Sequence, residues 1–184
     1  MGDSVKKVLV IYKSKYGSTK RYAEWIADEA KADLMDSSQV KADDLIKYEV
    51  IIFGGSLHAV GIKGIKIISE NYDKIKDKKV IVFGVGATPW REETVLQIRT
   101  ANFKEHMREN ISFFYLRGAF NYDKLSIGDK TLMNILKFKL QSSKEDALDE
   151  DAKGLLECYE RPADWTERKA ILPIIECITE VINK

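Results

Sequence analysis

A chain of 184 residues, 45% hydrophobic and 32% charged, can bury one α/β-sized core and excludes a second catalytic domain. Its 30 basic and 29 acidic side chains leave a net charge of +1, so no global field draws it to nucleic acid. The two cysteines, Cys158 and Cys177, form no C-x-x-C pair and support neither a disulfide framework nor a zinc or other metal site, which makes a reducing cytosol the expected compartment.

Val8 to Tyr12 (VLVIY) is a short, β-branched apolar run, as in a strand covered on both faces of a parallel sheet. Thr19 to Lys31 then carries Tyr22, Ala23, Ile26, Ala27 and Ala30 at helical spacing. Ala32 to Met35 is a short edge strand. The next strand, Val50 to Phe53, ends in Gly54-Gly55; a helical stretch covers Ile65 to Lys76, and Val80 to Val85 is again strand-like. Leu96 to Asn110 reads as a helix and Ile111 to Phe120 as an aromatic-rich strand. Residues 121–164 break the alternation as an insertion within a single domain spanning 1–184. Its first part, Asn121 to Lys144, holds five basic and two acidic residues, and Glu145 to Asp164 holds eight acidic and two basic. Within it, Thr131 to Leu140 places Leu132, Met133, Ile135, Leu136 and Leu140 on one helical face. This helix either meets anionic lipid, an apolar quinone or a porphyrin, or packs on the domain or a second copy. The acidic stretch Glu145 to Glu150 is a solvated face or loop. Asp164 and Glu167 have capping-box spacing and open the last helix, which Pro173 kinks or restarts.

Strands alternating with helices give a parallel sheet covered on both faces, with ligands outside the carboxyl ends of the strands. Three loops qualify: Lys13 to Ser18, Gly54 to Gly64 and Gly86 to Glu93. In the first, Ser14, Ser18 and Thr19 offer hydroxyls beside the open N–H groups of a helix start. That set can hold a phosphate without a cationic side chain. Equally, it can be an ordinary turn with Ser18 as N-cap. G-x-G-x-x-G and G-x-x-x-x-G-K-[ST] are both absent there, and strand three ends in glycines rather than a phospho-accepting aspartate.

Ser14-Lys15-Tyr16-Gly17-Ser18-Thr19 after VLVIY resembles the phosphate loop of flavodoxins, [ST]-x-[TYR]-G-x-[ST]. Phe53-Gly54-Gly55-Ser56 and Val82-Phe83-Gly84-Val85-Gly86 resemble the strand ends that feed the flavin loops. The resemblance covers most of residues 7–120 and the last helix. Within that group, Gly55-Ser56-Leu57-His58, Arg117-Gly118-Ala119-Phe120 and Ala163-Asp164-Trp165 are most similar to the menaquinone-dependent protoporphyrinogen dehydrogenases. The resemblance implies a flavodoxin-like three-layer sandwich with a five-stranded parallel sheet and FMN as cofactor. Ser14, Tyr16, Gly17, Ser18, Thr19 and the backbone of Lys15 would hold the phosphate. Ser56, Leu57 and His58 would lie along the flavin, with Gly86 and Thr88 in the other flavin loop. His58 would bond the flavin edge or meet the substrate, or remain a solvated loop histidine, and His106 is expected on the surface. Trp90 would stack on the ring system, or pack over Pro89. No catalytic side chain is assigned, because the flavin does the chemistry.

The function so implied is electron transfer from a reduced organic substrate, with protoporphyrinogen IX as the subfamily's substrate, through FMN to a quinone. The alternative is a flavodoxin-type carrier between redox proteins, but a chain at +1 lacks the acidic field of such shuttles. Apolar runs of about eight residues, as in Val80 to Ala87, fall short of the roughly 18–20 that span a membrane, and MGDSVKK carries no signal region. A cytoplasmic protein is expected, with peripheral contact to the inner membrane face through residues 130–140.

Overall fold

The computed structural model describes residues 7–142 and 150–182. In chain order the elements are β1 (Val8–Lys13), α1 (Ser18–Ala30), β2 (Asp33–Asp36), α2 (Ala42–Leu45), β3 (Val50–His58), β4 (Gly61–Ile62), α3 (Lys66–Ser69), α4 (Tyr72–Ile75) and β5 (Lys79–Gly86). They continue with α5 (Glu92–Asn102), α6 (Glu105–Arg108), β6 (Ile111–Arg117), β7 (Ala119–Phe120), α7 (Ile127–Gln141), α8 (Glu150–Glu157), β8 (Ala163–Asp164) and α9 (Leu172–Ile182). Short 3-10 turns cover Tyr122–Lys124 and Arg168–Ile171.

Five strands run parallel in the order β2-β1-β3-β5-β6, and β4 adds an antiparallel edge to the end of β3. The chain starts at β1, steps outward to β2, then crosses back to β3. The reversal therefore falls between β1 and β3, where their carboxyl ends leave a crevice. Alternate side chains of each central strand go to opposite cores. Leu9, Ile11, Ile51, Phe53, Val80 and Val82 pack with Ile68, Tyr72, Ile75 and Ile98 on one face. Val8, Val10, Val50, Ile52, Ile81 and Phe83 meet Tyr22, Ile26, Ile174 and Ile178 of α1 and α9 on the other. Burial on both faces explains why these strands read as continuous apolar runs, each large side chain contributing about 1.5–3 kcal/mol of transfer free energy. The result is a three-layer flavodoxin-like α/β fold.

Several sequence expectations need correction. β3 does not stop at Phe53: it continues through Gly54-Gly55, paired with β1 and β5, to His58, and at Gly54 the ring of Phe83 lies where a Cβ would be, 2.1 Å from its nearest atom. The helical stretch 65–76 splits into α3 and α4 at Asn71, whose backbone is not helical. The helix expected over 96–110 starts earlier and breaks at Phe103, an extended residue buried in the core, into α5 and α6. The last strand ends at Arg117. Ala119 and Phe120 leave the sheet to pair antiparallel with Asp164 and Ala163, so β7 and β8 fasten the two ends of the insertion together. The Asp164–Glu167 capping box does not form. Asp164 accepts instead from Thr166 N–H at 3.0 Å and from Arg21 at 2.7 Å, and α9 begins at Leu172 with Pro173 in its first turn, where its missing N–H costs nothing.

Helix α7 begins at Ile127, not Thr131, with Ser126 as its N-cap. The single apolar face also divides. Leu132, Met133 and Leu136 line the cavity described below, whereas Ile135 stands off it, 62% exposed. The acidic stretch 145–150 falls, apart from Glu150 at the start of α8, outside the described residues. Among the described residues no helix is long and apolar enough to cross a membrane.

Candidate functional site

The crevice is built first from the β1–α1 loop. Gly17 holds φ at +100°, a left-handed conformation in which a β-branched residue is strained, and this turns the chain from the strand into α1. Among the described residues no side chain caps α1. Its first donor with a carbonyl behind it is the Arg21 N–H, bonded to Gly17 at 3.0 Å. The N–H groups of Ser18, Thr19 and Lys20 therefore lie at the helix end without an intrahelical acceptor, at the positive pole of its dipole.

The loop's hydroxyls do more scaffolding than the sequence suggests. Ser14 Oγ accepts from Gly17 N–H at 3.1 Å, and Ser18 Oγ accepts from Ala119 N–H at 3.0 Å, tying the loop to β7. Ser56 Oγ accepts from the Lys15 N–H at 3.1 Å and meets Thr19 Oγ1 at 2.9 Å. Thr19 is only 1% exposed, so it supports Ser56 from below. Ser14 and Ser18 keep their own hydroxyl protons for a ligand, since each oxygen acts as acceptor in these bonds.

From this loop a cavity of about 770 Å3 runs along the strand ends. One wall holds Ser56, Leu57 and His58 at the end of β3, and the next holds Gly86, Ala87 and Thr88 after β5. Tyr115 of β6 closes the floor there, donating to the Thr88 carbonyl at 2.6 Å; burial pushes its phenol up. The far wall comes from the insertion and its stem: Phe120, Leu125, Leu132, Met133, Leu136 and Leu155. Of the residues singled out from sequence, Tyr16, Ser18, Thr19, Ser56, Leu57, His58, Gly86 and Thr88 line this one cavity. Ser14, Lys15 and Gly17 shape the loop beside it. Trp90 does not join the lining and is 62% exposed. His106 is exposed, 5.8 Å from the ring of Tyr72. Among the described residues no group of His, Cys, Asp or Glu could hold a metal ion.

The sequence motifs include Arg117 without a role, and neither Asp129 nor Lys63 is singled out by them. Arg117 lies over the Trp165 ring at 3.8 Å and donates to the Ala87 carbonyl at 3.1 Å, joining the loop after β5 to the segment after the insertion. Asp129, in the first turn of α7, accepts from both Lys15 Nζ and the Tyr16 hydroxyl. These bonds, Lys15 first, hold its carboxyl below the ordinary range and raise the Lys15 ammonium. Lys63 faces the same pair, and its ammonium is pushed down first by burial and then by Lys15. Ser126 and Asp129 do stand at capping spacing in the sequence, which marks the helix start. Nothing local marks a partner 113 residues away.

The residues fit a mononucleotide flavin. A helix end with unengaged donors faces the cavity, glycine holds the turn, and a long, mostly apolar slot of suitable size runs from it between two strand ends. A parallel sheet with its crevice at the β1–β3 switch point, filled by such a slot, defines an α/β protein of the doubly wound class.

Residues 9–147 match the model of the flavodoxin domain family, and the chain belongs to that family. An uncharacterized protein of Methanocaldococcus jannaschii is 29% identical over 119 residues, covering 63% of this chain and 78% of that protein. Flavodoxin 2 of Bacillus cereus is 19% identical at a TM-score of 0.43, covering 82% of this chain and 93% of its own. A flavoprotein of Lactobacillus acidophilus in complex with FMN is 18% identical at a TM-score of 0.42, covering 61% and 92%.

Proposed function

We propose that this chain binds FMN noncovalently and passes electrons from a reduced organic substrate to a quinone. The sequence resemblance makes protoporphyrinogen IX and menaquinone the pair to test. The observation that carries this reading is the apolar far wall of the cavity. Phe120, Leu132, Met133 and Leu136 stand across from the two flavin loops and provide a compartment for an organic molecule, which a carrier that exchanges electrons at its surface does not need.

Bound FMN would supply the hydride and electron acceptor. The chain's own residues do the rest. The N–H groups at the start of α1, with the Ser14 and Ser18 hydroxyls, hold the phosphate. Ser56, Leu57, Gly86 and Thr88 flank the ring, and the insertion's apolar side chains offer an organic substrate an apolar surface beside it. His58, half-exposed at the cavity wall, would meet the substrate. The balanced charge of +1 supports a small neutral or anionic substrate over docking to a strongly basic redox partner.

The test is an absorption spectrum of the protein reconstituted with FMN, followed by anaerobic addition of protoporphyrinogen IX and then a menaquinone analogue. Bleaching by the porphyrinogen and recovery with the quinone support the reading. Bound flavin that ignores both leaves an electron carrier, and a protein that retains no flavin overturns both.

A further inference from the structure

The flavin reading gives no role to the charged cluster at the outer edge of the phosphate loop. Lys15 comes from the loop itself. The Lys63 N–H bonds the Ser56 carbonyl at 3.0 Å, and its ammonium feels Lys15, which helps push it down. Between them lies Asp129, bonded to Lys15 Nζ and to the Tyr16 hydroxyl, with His58 Nε2 at 3.9 Å from its other oxygen. The backbone N–H of the neighbouring Ser126 donates to Tyr16 Oη at 3.1 Å, and Lys15 Nζ reaches Ser126 Oγ at 3.4 Å. An ammonium group and a phenol thus converge on a single carboxylate, the phenol two residues before the first open backbone donor of α1, with the Lys63 side chain neighbouring Lys15.

We propose that Asp129 is an internal stand-in for the ligand's phosphate: phosphate takes over Lys15, Lys63 and Tyr16 as the mononucleotide binds, and the first turn of α7 is released from the loop. This rests on the FMN reading and adds to it two cationic binding side chains and a moving part. Three features favour exchange. A phosphate monoester near neutral pH carries about −1.5 to −2 charge and three acceptor oxygens, so it satisfies two lysines and a phenol better than one carboxylate can. Two anions on the same donors repel, so Asp129 cannot keep its place beside the phosphate. The third is the attachment of α7. None of its residues is buried, and ties of α7 among the described residues, besides the Asp129 cluster, include the Tyr122 hydroxyl on Asn134 at 2.7 Å, the Tyr159 hydroxyl on the Met133 carbonyl at 2.6 Å, and Lys130 and Lys137 over the Tyr122 and Tyr159 rings. A helix held by polar ties rather than a packed stripe opens at low cost when one tie is lost. Because Leu132, Met133 and Leu136 of the same helix line the cavity, its release widens the opening through which an organic substrate enters.

The experiment is backbone hydrogen exchange of residues 127–136 in the full chain, alone, with FMN and with riboflavin, which lacks the phosphate. Quenching of flavin fluorescence reports binding. Exchange in α7 is expected to rise several-fold with FMN and to stay at its starting level with riboflavin. Asp129→Asn is expected to bind FMN about tenfold more tightly and to show fast α7 exchange without ligand, while Lys63→Met weakens FMN but not riboflavin. Bound FMN with α7 exchange unchanged or slowed, or an Asp129→Asn protein that binds FMN no more tightly, overturns the exchange and leaves the flavin site standing. Failure of the wild-type chain to bind either flavin overturns the site and the exchange together.

Discussion

Two glycines carry different physical demands, and substitutions separate them. Gly17 is needed for its conformation. At φ +100° its Cβ position faces open space, with nothing within 4 Å, so Gly17→Val meets no clash but strains the backbone by about 1–3 kcal/mol. The loop is expected to relax that strain by changing shape, which displaces the donors at the start of α1. FMN affinity should fall by at least about tenfold while circular dichroism stays native, because nothing in the core is touched. Retained affinity in a flavin titration would show that the loop does not hold the phosphate. Gly54 is needed for its lack of a side chain. A Cβ there would sit 2.1 Å from the Phe83 ring, so Gly54→Ala must push a fully buried aromatic out of its rotamer. The expected loss is about 1–3 kcal/mol in urea unfolding, and an unchanged midpoint would mean that Phe83 has room to move.

At the scale of elements, α7 and β5 contain comparable apolar side chains with opposite fates. Phe138 on α7 is 74% exposed, whereas Phe83 on β5 is completely buried. Phe83→Ala is expected to destabilise by about 3–5 kcal/mol, and Phe138→Ser to stay within about 0.5 kcal/mol. Thermal denaturation of the two proteins checks the contrast; a large loss at Phe138 would reveal packing on that outer face. The same contrast explains what was legible in the sequence. β1, α1 and β5 could be read because burial on both faces, or on one helical stripe, leaves an uninterrupted periodic record in the local sequence. The β1–α1 loop and most of the cavity lining came with them, since strand ends fix where the loops lie. The breaks at Asn71 and Phe103 left no such record, because each serves the core or a local bond rather than a stop signal. In the insertion the period told of a helix but not of its partners. Leu132 and Ile135 look alike in sequence and part company only because the cavity lies to one side. Asp164 was misread and Asp129 passed over for one reason: local spacing shows only near neighbours, while their partners Arg21 and Lys15 are more than 100 residues distant.

Considered as a whole molecule, those two carboxylates stand at opposite ends of the insertion, and their titration decides which part of the protein loosens first in acid. Burial pushes the Asp164 carboxyl up, but the Arg21 guanidinium and the two Thr166 donors outweigh it and hold it at about 2. Asp129 is also held below the ordinary range, by Lys15 and then Tyr16. A carboxyl depressed in the folded state adds stability above its unfolded pKa and loses it as pH falls through the folded one. For Asp164 the window lies between about 4 and 2. Its side chain is 49% exposed, so solvent screening leaves the pair with no more than about 1 kcal/mol. That is small against the two hydrophobic cores, which contain no titrating carboxylate among the described residues. Protonation should therefore detach the insertion before it unfolds the sheet. As pH is lowered from 5 to 2.5, amide exchange corrected for its intrinsic pH dependence is expected to rise first in residues 119–136 and 163–167. Protection of β1, β3 and β5 should persist to lower pH. Asp164→Asn should show the loosening of 163–167 already at neutral pH, since the amide cannot pair with Arg21 as a carboxylate does. Simultaneous loss of protection in sheet and insertion would mean that the insertion is part of the cooperative core, and that its ties to the phosphate loop and to Arg21 are not what hold it in place.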